Sequence, residues 1–274
     1  MAEVEGVSNV LLDIEGTICP IAFVKNTLFP YALEALPGVL AKQWDDATFR
    51  PYRDAFPEEH RVSPAALEAH VKDLTRRDVK IAYLKNLQGH LWEEGYRSGA
   101  YSTPLFPDVV PQLEGWKAAG TKLAIYSSGS VFAQKLLFQH VSVDETVVGG
   151  KGSAGEDASQ PPGTEDMRSL MTEDGWFDTT NAGLKTEASS YSKNVETLKW
   201  QPARTLFLTD NVKEYDAAAE AGLRVILLDR PGNAPVSEAD RTRMQVVGSL
   251  DDITLTAQRE VAAGALPPEL DGVH

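Results

Sequence analysis

The sequence predicts an α/β fold, with a mainly parallel sheet, helices on both of its faces and an inserted helical cap subdomain. Four short apolar segments that each end in a small or polar residue are the expected strands, at residues 11–13, 123–127, 206–210 and 225–229. Amphipathic segments of helical length separate them, and this alternation is typical of parallel sheets whose crossovers are helices. Such a Rossmann-like sheet collects its ligands at the carboxyl ends of its strands, where these polar residues stand.

The first two predicted strands are separated by a gap far too long for one crossover connection. Helical patterns fill this gap, for example over residues 64–74 and 81–92. The economical interpretation is a helical cap of residues 21–104 inserted in a core domain of residues 1–20 and 105–260.

Three later segments complete the predicted organisation. A helix over residues 106–120, ended by Gly120, is expected to return the chain to the sheet. Residues 149–175 are rich in Gly, Ser, Pro and acidic residues and lack apolar periodicity over most of their length, which predicts a mobile surface loop. Residues 261–274 are expected to be a flexible tail.

The composition limits the classes of molecule that the protein is expected to bind. The chain of 274 residues is 42% hydrophobic and 24% charged, which is ordinary for a globular protein. Its 40 Asp and Glu residues exceed its 26 Lys and Arg residues, so the formal net charge is −14. This charge disfavours nonspecific binding to nucleic acid and to anionic membranes. An anionic substrate would therefore need a local cationic site.

The start of the chain is acidic and has no basic segment followed by an apolar one, so no signal or transit peptide is expected. No apolar run reaches the length that a membrane-spanning helix needs. The single cysteine, Cys19, has no partner for an internal disulfide, and we expect a small buried residue here rather than a nucleophile. These features predict a soluble protein of a reducing compartment.

Two carboxylates one residue apart follow the first predicted strand. Asp13 and Glu15 stand where the apolar run meets Gly16. Side chains at positions i and i+2 of a strand share a face, so both carboxylates can project from its end while Gly16 lets the backbone turn. One carboxylate can then attack a phosphorus atom, and the other can move protons. The alternative is an ordinary turn with a solvated Glu15.

Hydroxyl groups and a glycine follow the second predicted strand, at Ser127, Ser128 and Gly129, ahead of a helical stretch over residues 131–138. A hydroxyl and backbone N–H groups at the positive end of a helix can hold a phosphate group. The alternative is a serine that only caps the helix.

Two further polar residues belong to this pattern. Lys185 precedes a helix-like stretch over residues 189–200 and can neutralise a phosphate and a carboxylate nucleophile, although most lysines are merely solvated. Asp210 follows the third predicted strand. An oxygen-rich strand end near Asp13 suits magnesium, which prefers carboxylate and water ligands. By itself, Asp210 is equally compatible with a helix cap.

Further short motifs accompany these elements, and they are Pro20-Ile21-Ala22-Phe23-Val24, Leu87-Gln88-Gly89-His90-Leu91-Trp92 and Arg230-Pro231-Gly232-Asn233. The order and spacing of the four elements resemble the haloacid dehalogenase superfamily. At the second acidic position the superfamily more commonly has an aspartate. The glutamate at position 15 therefore narrows the match within the superfamily. With the further motifs, the chain resembles the enolase-phosphatases of methionine salvage over nearly its whole length, except for residues 149–175 and the tail. Cys19 stands where a threonine is expected.

The resemblance implies a bifunctional enzyme that enolises and dephosphorylates 2,3-diketo-5-methylthiopentyl-1-phosphate to the acireductone 1,2-dihydroxy-3-keto-5-methylthiopentene. Asp13 would be the nucleophile that forms an aspartyl phosphate. Glu15 would protonate the leaving oxygen and later activate water. One Mg²⁺ per chain would be held by Asp13, Asp210 and the backbone carbonyl of Glu15.

The same resemblance implies the substrate-binding residues. Ser127 and the N–H groups of Ser128 and Gly129 would hold the phosphoryl oxygens, while Lys185 supplies positive charge. Glu214 would orient Lys185 or a metal-bound water. The candidate cap contacts are Phe23, His90 and Trp92, for which core packing is the alternative.

Other functions stay open at this point. A different magnesium-dependent capped phosphatase or phosphomutase would act on other small phosphate esters, and a haloacid dehalogenase would use an aspartate nucleophile without magnesium. A catalytically silent scaffold of the same fold is the non-enzyme alternative. The expected partner is a small-molecule phosphate, with no nucleic acid and no membrane. We expect a monomer in the cytoplasm, and the nucleus is left open as a second location.

Overall fold

The computed structural model describes residues 1–143, 161 and 163–256 of the chain. In these residues the strands are β1 (Ala2–Glu5), β2 (Asn9–Leu12), β3 (Lys122–Tyr126), β4 (Val141–Ser142), β5 (Thr164–Glu165), β6 (Trp176–Phe177), β7 (Thr205–Thr209), β8 (Arg224–Leu228), β9 (Val246–Val247) and β10 (Ile253–Thr256). The α-helices are α1 (Ile21–Phe23), α2 (Phe29–Gln43), α3 (Arg50–Asp54), α4 (Pro64–Arg76), α5 (Ala82–Arg97), α6 (Val109–Ala118), α7 (Val131–Gln139), α8 (Ala188–Thr197), α9 (Val212–Glu220) and α10 (Glu238–Arg243). None of the described helices combines the length and the apolar character that crossing a bilayer requires.

The main sheet has six strands in the order β6-β3-β2-β7-β8-β9, and every neighbouring pair in it is parallel. Strand β2 lies between β3 and β7, so that Leu12 is level with Ile125 on one side and Leu208 on the other. All residues of β2 and β7 are buried, as expected for a parallel sheet covered on both faces. The predicted α/β class is confirmed, and β2, β3, β7 and β8 are the four predicted strands.

Helices α1 to α5 lie in the sequence between β2 and β3. Helix α4 begins after Ser63, whose hydroxyl accepts a hydrogen bond from the N–H of Ala66 (3.2 Å), and Pro64 takes its first position. In α5 the buried residues recur with a helical period and form one apolar face. Buried side chains of this insertion and of one face of the sheet form one continuous hydrophobic cluster.

The segment predicted as a loop, residues 149–175, is described only in part. Residues 149–160 and 162 lie outside the described residues, and so does the predicted tail at 261–274. The described part is packed on the core: β5 pairs antiparallel with β4, and Met167 and Met171 are buried in the hydrophobic cluster. The burial of these two apolar side chains explains why the chain rejoins the core before residue 175.

A buried ion pair connects three distant parts of the chain. Arg230 binds the carboxylate of Asp108, at the start of α6, through two nitrogen atoms at 2.8 and 2.9 Å. Its Nε donates to the carbonyl of Thr17 (3.0 Å), which follows Glu15 and Gly16. The Asp108 carboxylate also accepts hydrogen bonds from Ser249 and from the N–H of Leu250. The pair therefore ties the segment after β2 to α6 and to the end of the sheet.

We expect Asp108→Ala to lower the free energy of unfolding by about 3–5 kcal/mol, because it leaves the Arg230 guanidinium buried without its counter-charge. Equilibrium urea unfolding measures the loss. The matched control is Asp73→Ala, which removes an exposed carboxylate paired with Arg76 and Arg77 and should hardly change the urea midpoint. An unfolding free energy for Asp108→Ala equal to that of the wild type would contradict the role of this pair.

Candidate active site

The carboxyl ends of three adjacent strands bring the predicted polar residues together. Asp13 follows β2, Ser127 follows β3 and Asp210 follows β7. Because β2 is the middle strand of the three, Asp13 stands between the other two. Its N–H still continues the ladder by donating to the carbonyl of Leu208 (2.9 Å), and its side chain is buried. The site therefore forms where parallel sheets bind ligands.

Residues 13–17, which we name the acidic loop, turn tightly after β2. The carbonyl of Ile14 accepts hydrogen bonds from the N–H groups of Ile18 (3.0 Å) and Cys19 (2.9 Å). Gly16 has φ +75°, a conformation that favours glycine. The sequence had suggested that the two carboxylates project from the end of the strand. Strand β2 ends at Leu12 instead, so both carboxylates belong to the acidic loop.

Gly16 is also required because Asp210 packs against it. A Cβ atom on Gly16 would lie 2.3 Å from Oδ2 of Asp210 and 2.8 Å from Oδ1 of Asn233. The amide of Asn233 donates to the carbonyl of Gly16 (2.8 Å) and holds the loop in place. Any larger residue at position 16 would therefore separate Asp210 from the acidic loop.

Lys185 lies between two carboxylates. Its Nζ is 2.6 Å from Oδ1 of Asp13 and 2.7 Å from Oε2 of Glu214, and all three side chains are almost fully buried. Thr209 donates to the same Glu214 oxygen (2.9 Å) and fixes its position. Burial opposes the charge of Lys185, but the two carboxylates outweigh it and raise its pKa. Lys185 thus stays protonated beside Asp13.

Several carboxyl groups of the site have raised pKa values. Burial, followed by the charges of Asp13 and Glu214, raises the pKa of Asp210 to about 7. Burial and Asp13 likewise raise the pKa of Glu214 to about 7 and that of Glu15 above its ordinary value. Burial is the largest cause of each shift, and the neighbouring carboxylates, which outnumber the one cation Lys185, add to it. The site therefore carries surplus negative charge that a bound cation would relieve.

The carboxylates of Asp13 and Asp210 are the candidate ligands for magnesium. Within the residues that the structure describes, no group of three or more His, Cys, Asp or Glu side chains is arranged to hold a metal ion. The predicted set needs only two carboxylate side chains, Asp13 and Asp210, because Glu15 would contribute its backbone carbonyl. Oxygen donors with surplus negative charge suit magnesium, which keeps several water ligands. The residues present fit the ion.

Residues 127–130, which we name the serine loop, lead into α7. Ser130 caps this helix by accepting from the N–H of Ala133 (3.3 Å). The buried hydroxyl of Ser127 accepts from the N–H of Gly129 (3.2 Å), so this N–H, which the sequence had assigned to phosphate, is engaged within the loop. Ser127 and Ser128 remain at the wall of a cavity.

Sequence reasoning missed two residues that hold the serine loop. Asp178, directly after β6, accepts from the N–H of Val131 (2.9 Å) at the start of α7. Lys85 of α5 donates to the carbonyl of Ser128 (2.7 Å). The two-residue strand β6 is too short for a pattern to reveal, and Lys85 stands in a segment identified only as a helix.

The cavity has a volume of about 320 Å³ and lies between the two loops and the insertion. Of the three candidate cap contacts, Trp92 lines it. Phe23 packs edge-on against Tyr101 with ring centres 6.1 Å apart, and His90 stacks on Tyr52 at 4.5 Å. The polar and apolar walls of the cavity include Glu15, Ser127, Ser128, Lys85, Gln88, Leu28, Phe29 and Trp92.

Comparisons with known proteins show the family of this chain. Residues 7–222 match the family model of the haloacid dehalogenase-like hydrolases. The enolase-phosphatase E1 of Podospora anserina is 52% identical over 246 residues, which are 89% of this chain and 96% of that protein. The enolase-phosphatase E1 of Neurospora crassa is 51% identical with the same coverage. A crystal structure of the UTR4 protein of Saccharomyces cerevisiae gives a TM-score of 0.73 and 38% identity, covering 89% of this chain and 98% of that chain.

The match to these proteins extends over the parts that build the site. Residues 7–222 include the acidic loop, the serine loop, Lys185 and Asp210. The aligned relatives also cover the inserted helices, because they span 89% of the chain. The chain therefore belongs to the enolase-phosphatase family of the haloacid dehalogenase-like hydrolases.

Proposed function

We propose that this chain is the enolase-phosphatase of methionine salvage, which converts 2,3-diketo-5-methylthiopentyl-1-phosphate to the acireductone 1,2-dihydroxy-3-keto-5-methylthiopentene and phosphate. The observation that carries the proposal is the buried pair of Asp13 and Lys185 at the carboxyl end of the central strand. A buried carboxylate that is paired with an ammonium group is a competent nucleophile for a phosphoryl group. The names of the relatives supply the reaction class.

Asp13 is the proposed nucleophile. Lys185 pairs with it and would neutralise charge on the phosphoryl group during attack. Glu15, in the same loop, has a raised pKa and lines the cavity, so it is suited to protonate the leaving oxygen and then to take a proton from the attacking water. Glu214 acts through Lys185, which it positions from the opposite side.

Asp13, Asp210 and the backbone carbonyl of Glu15 are the proposed ligands of one Mg²⁺. When bound, this ion would polarise oxygen atoms of the substrate and offset negative charge. Ser127, together with the N–H of Ser128 and the start of α7, would orient the phosphoryl group. We further propose that the helical insertion, residues 21–104, is a cap that excludes water from the reacting groups. The monomeric state and the location in the cytoplasm or nucleus stay predictions.

Removal of the metal tests the proposal. We expect EDTA to stop phosphate release from the diketo phosphate and added Mg²⁺ to restore it, because the carboxylates at Asp13 and Asp210 need a counter-ion to admit an anionic substrate. Phosphate release is measured with a colorimetric assay in metal-free buffer. A haloacid dehalogenase would release halide from a haloacid under the same conditions, so that substrate is the matched comparison. Full phosphatase activity after exhaustive chelation would contradict the proposed mechanism.

A further inference from the structure

One face of helix α5 forms a side wall of the cavity. Lys85, Gln88 and Trp92 stand on this face, since positions three and four apart on a helix are neighbours. Their chemistry changes in order along the helix, from a cation through an amide to an indole. At a rise of about 1.5 Å per residue, the stretch from Lys85 to Trp92 spans about 10 Å. The side chains of this wall therefore change from charged to apolar over a distance that matches the length of a small extended molecule.

Lys85 places the charged end of this wall beside the serine loop. Its ammonium group donates to the carbonyl of Ser128 (2.7 Å) and to the hydroxyl of Thr179 (3.3 Å). An ammonium group has three N–H donors, so one is left for a ligand in the cavity. Burial lowers the pKa of Lys85, while the nearby carboxylates of Asp178 and Glu15 favour its charged form. A negative charge that develops near this group would be stabilised by its positive charge.

Gln88 adds an amide one helical turn farther along. Its side chain is 5% exposed and lines the cavity. Among the described residues, it has no hydrogen-bond partner for this amide. Its amide atoms are not among the fully buried polar atoms that lack a partner, so they are accessible from the cavity, where a polar group of a bound molecule can bond to them. Lys85 and Gln88 together present two donors to one side of the cavity.

The far end of the wall is apolar. The indole N–H of Trp92 donates to the carbonyl of Leu28 (2.7 Å), so the ring offers only its hydrocarbon surface to the cavity. Phe29 packs on this ring with ring centres 6.0 Å apart. Thioether sulfur makes favourable contacts with aromatic rings. This end therefore suits an alkyl thioether.

We propose that Lys85 and Gln88 bind the two adjacent carbonyl oxygens of the substrate and stabilise the negative charge that forms there during enolisation. This inference rests on the proposed function. In the step, the C1–H electron pair becomes the C1=C2 bond and the π pair of the C2 carbonyl moves to its oxygen. The C1 proton passes to water in the cavity, and water returns a proton to that oxygen, so the step is an isomerisation without net change in protonation. Leu28, Phe29 and Trp92 receive the methylthio end.

The test separates enolisation from phosphate release. Variants Lys85→Met and Gln88→Leu are given the diketo phosphate with Mg²⁺ under anaerobic conditions, and enol formation is followed by absorbance. The same variants are given p-nitrophenyl phosphate, which has no carbonyl group. We expect Lys85→Met to slow enol formation about 100-fold or more, the usual effect of losing a donor to a developing oxyanion. Hydrolysis of p-nitrophenyl phosphate should fall by a clearly smaller factor than enol formation, because this ester has no carbonyl group for Lys85 to bind.

Two further variants serve as controls. Lys85→Arg keeps the charge and should recover part of the enolisation rate. Lys72→Met removes an exposed lysine of α4 that pairs with Glu68, and it should change neither activity. Circular dichroism checks the fold of each variant. If Lys85→Met does not fold, Gln88→Leu provides the test, with an expected loss of about tenfold in enol formation and a smaller loss in p-nitrophenyl phosphate hydrolysis.

Equal losses in both activities would overturn the inference, because Lys85 would then only tie α5 to the serine loop. Unchanged enol formation in Lys85→Met, or in Gln88→Leu, would overturn it as well. The proposed function is tested separately, with the wild-type protein alone. Phosphate release by the wild type without any enol intermediate would contradict that function, whatever the variants show.

Discussion

Replacing Asp13 with asparagine is expected to abolish phosphate release, with a loss of at least about 10⁴-fold in kcat, the order seen when a nucleophile is removed. The amide has nearly the same shape as the carboxylate but cannot attack phosphorus or carry the charge that Lys185 binds at 2.6 Å. The hydrogen bond from the N–H of Ile14 to the side chain can be kept by the amide oxygen, so the acidic loop should retain its conformation. Steady-state phosphate release and circular dichroism measure the two expectations.

Asp229→Asn is the matched control for this variant. Asp229 follows β8, which is separated from β2 by β7 in the sheet, and its carboxylate pairs with Arg241 near the surface. The substitution should leave turnover unchanged, although it makes the same chemical change at the same end of the same sheet. Appreciable turnover by folded Asp13→Asn would exclude Asp13 as the nucleophile.

The second large effect is expected for Lys185→Met, which should reduce kcat by about 10³-fold, as electrostatic groups of buried sites do when they are removed. Methionine fills a similar volume but leaves the carboxylates of Asp13 and Glu214 facing each other without a cation. Without this cation the two buried carboxylates repel each other, which disfavours a second negative charge in the site. Phosphate release across substrate concentrations gives kcat and KM separately.

Lys193→Met, on the exposed side of α8, is the matched control for Lys185→Met and should behave like the wild type. The loss at Lys185 should appear in kcat more than in KM, since the cation acts on charge that develops during attack. A fall of less than tenfold would show that Lys185 is a structural ion-pair partner only.

Much of the site is predictable because strand ends follow a simple geometric rule. In a parallel sheet the carboxyl ends lie at one edge, so residues after β2, β3 and β7 had to meet once those strands were identified. This places Asp13, Ser127 and Asp210 together without any knowledge of side-chain packing. The family resemblance extended the prediction to Lys185, whose contact with Asp13 the structure then shows.

The remaining features depend on tertiary packing, which periodicity does not reveal. Lys85 reaches the serine loop only because α5 is held by contacts such as that from Trp92 to the carbonyl of Leu28. The engagement of the Gly129 N–H with Ser127 depends on the exact turn of the loop. Asp178 follows a strand of two residues, a length below what an alternating pattern can indicate.

The most direct test is a time course of the purified protein with 2,3-diketo-5-methylthiopentyl-1-phosphate and Mg²⁺ in the absence of oxygen. Absorbance reports the enol, and a coupled assay reports phosphate in the same reaction. We expect the enol to appear no later than phosphate, and both signals to be lost in Asp13→Asn or after chelation. Phosphate release with no enol, or no release of phosphate at all, would contradict the assignment of this chain as an enolase-phosphatase.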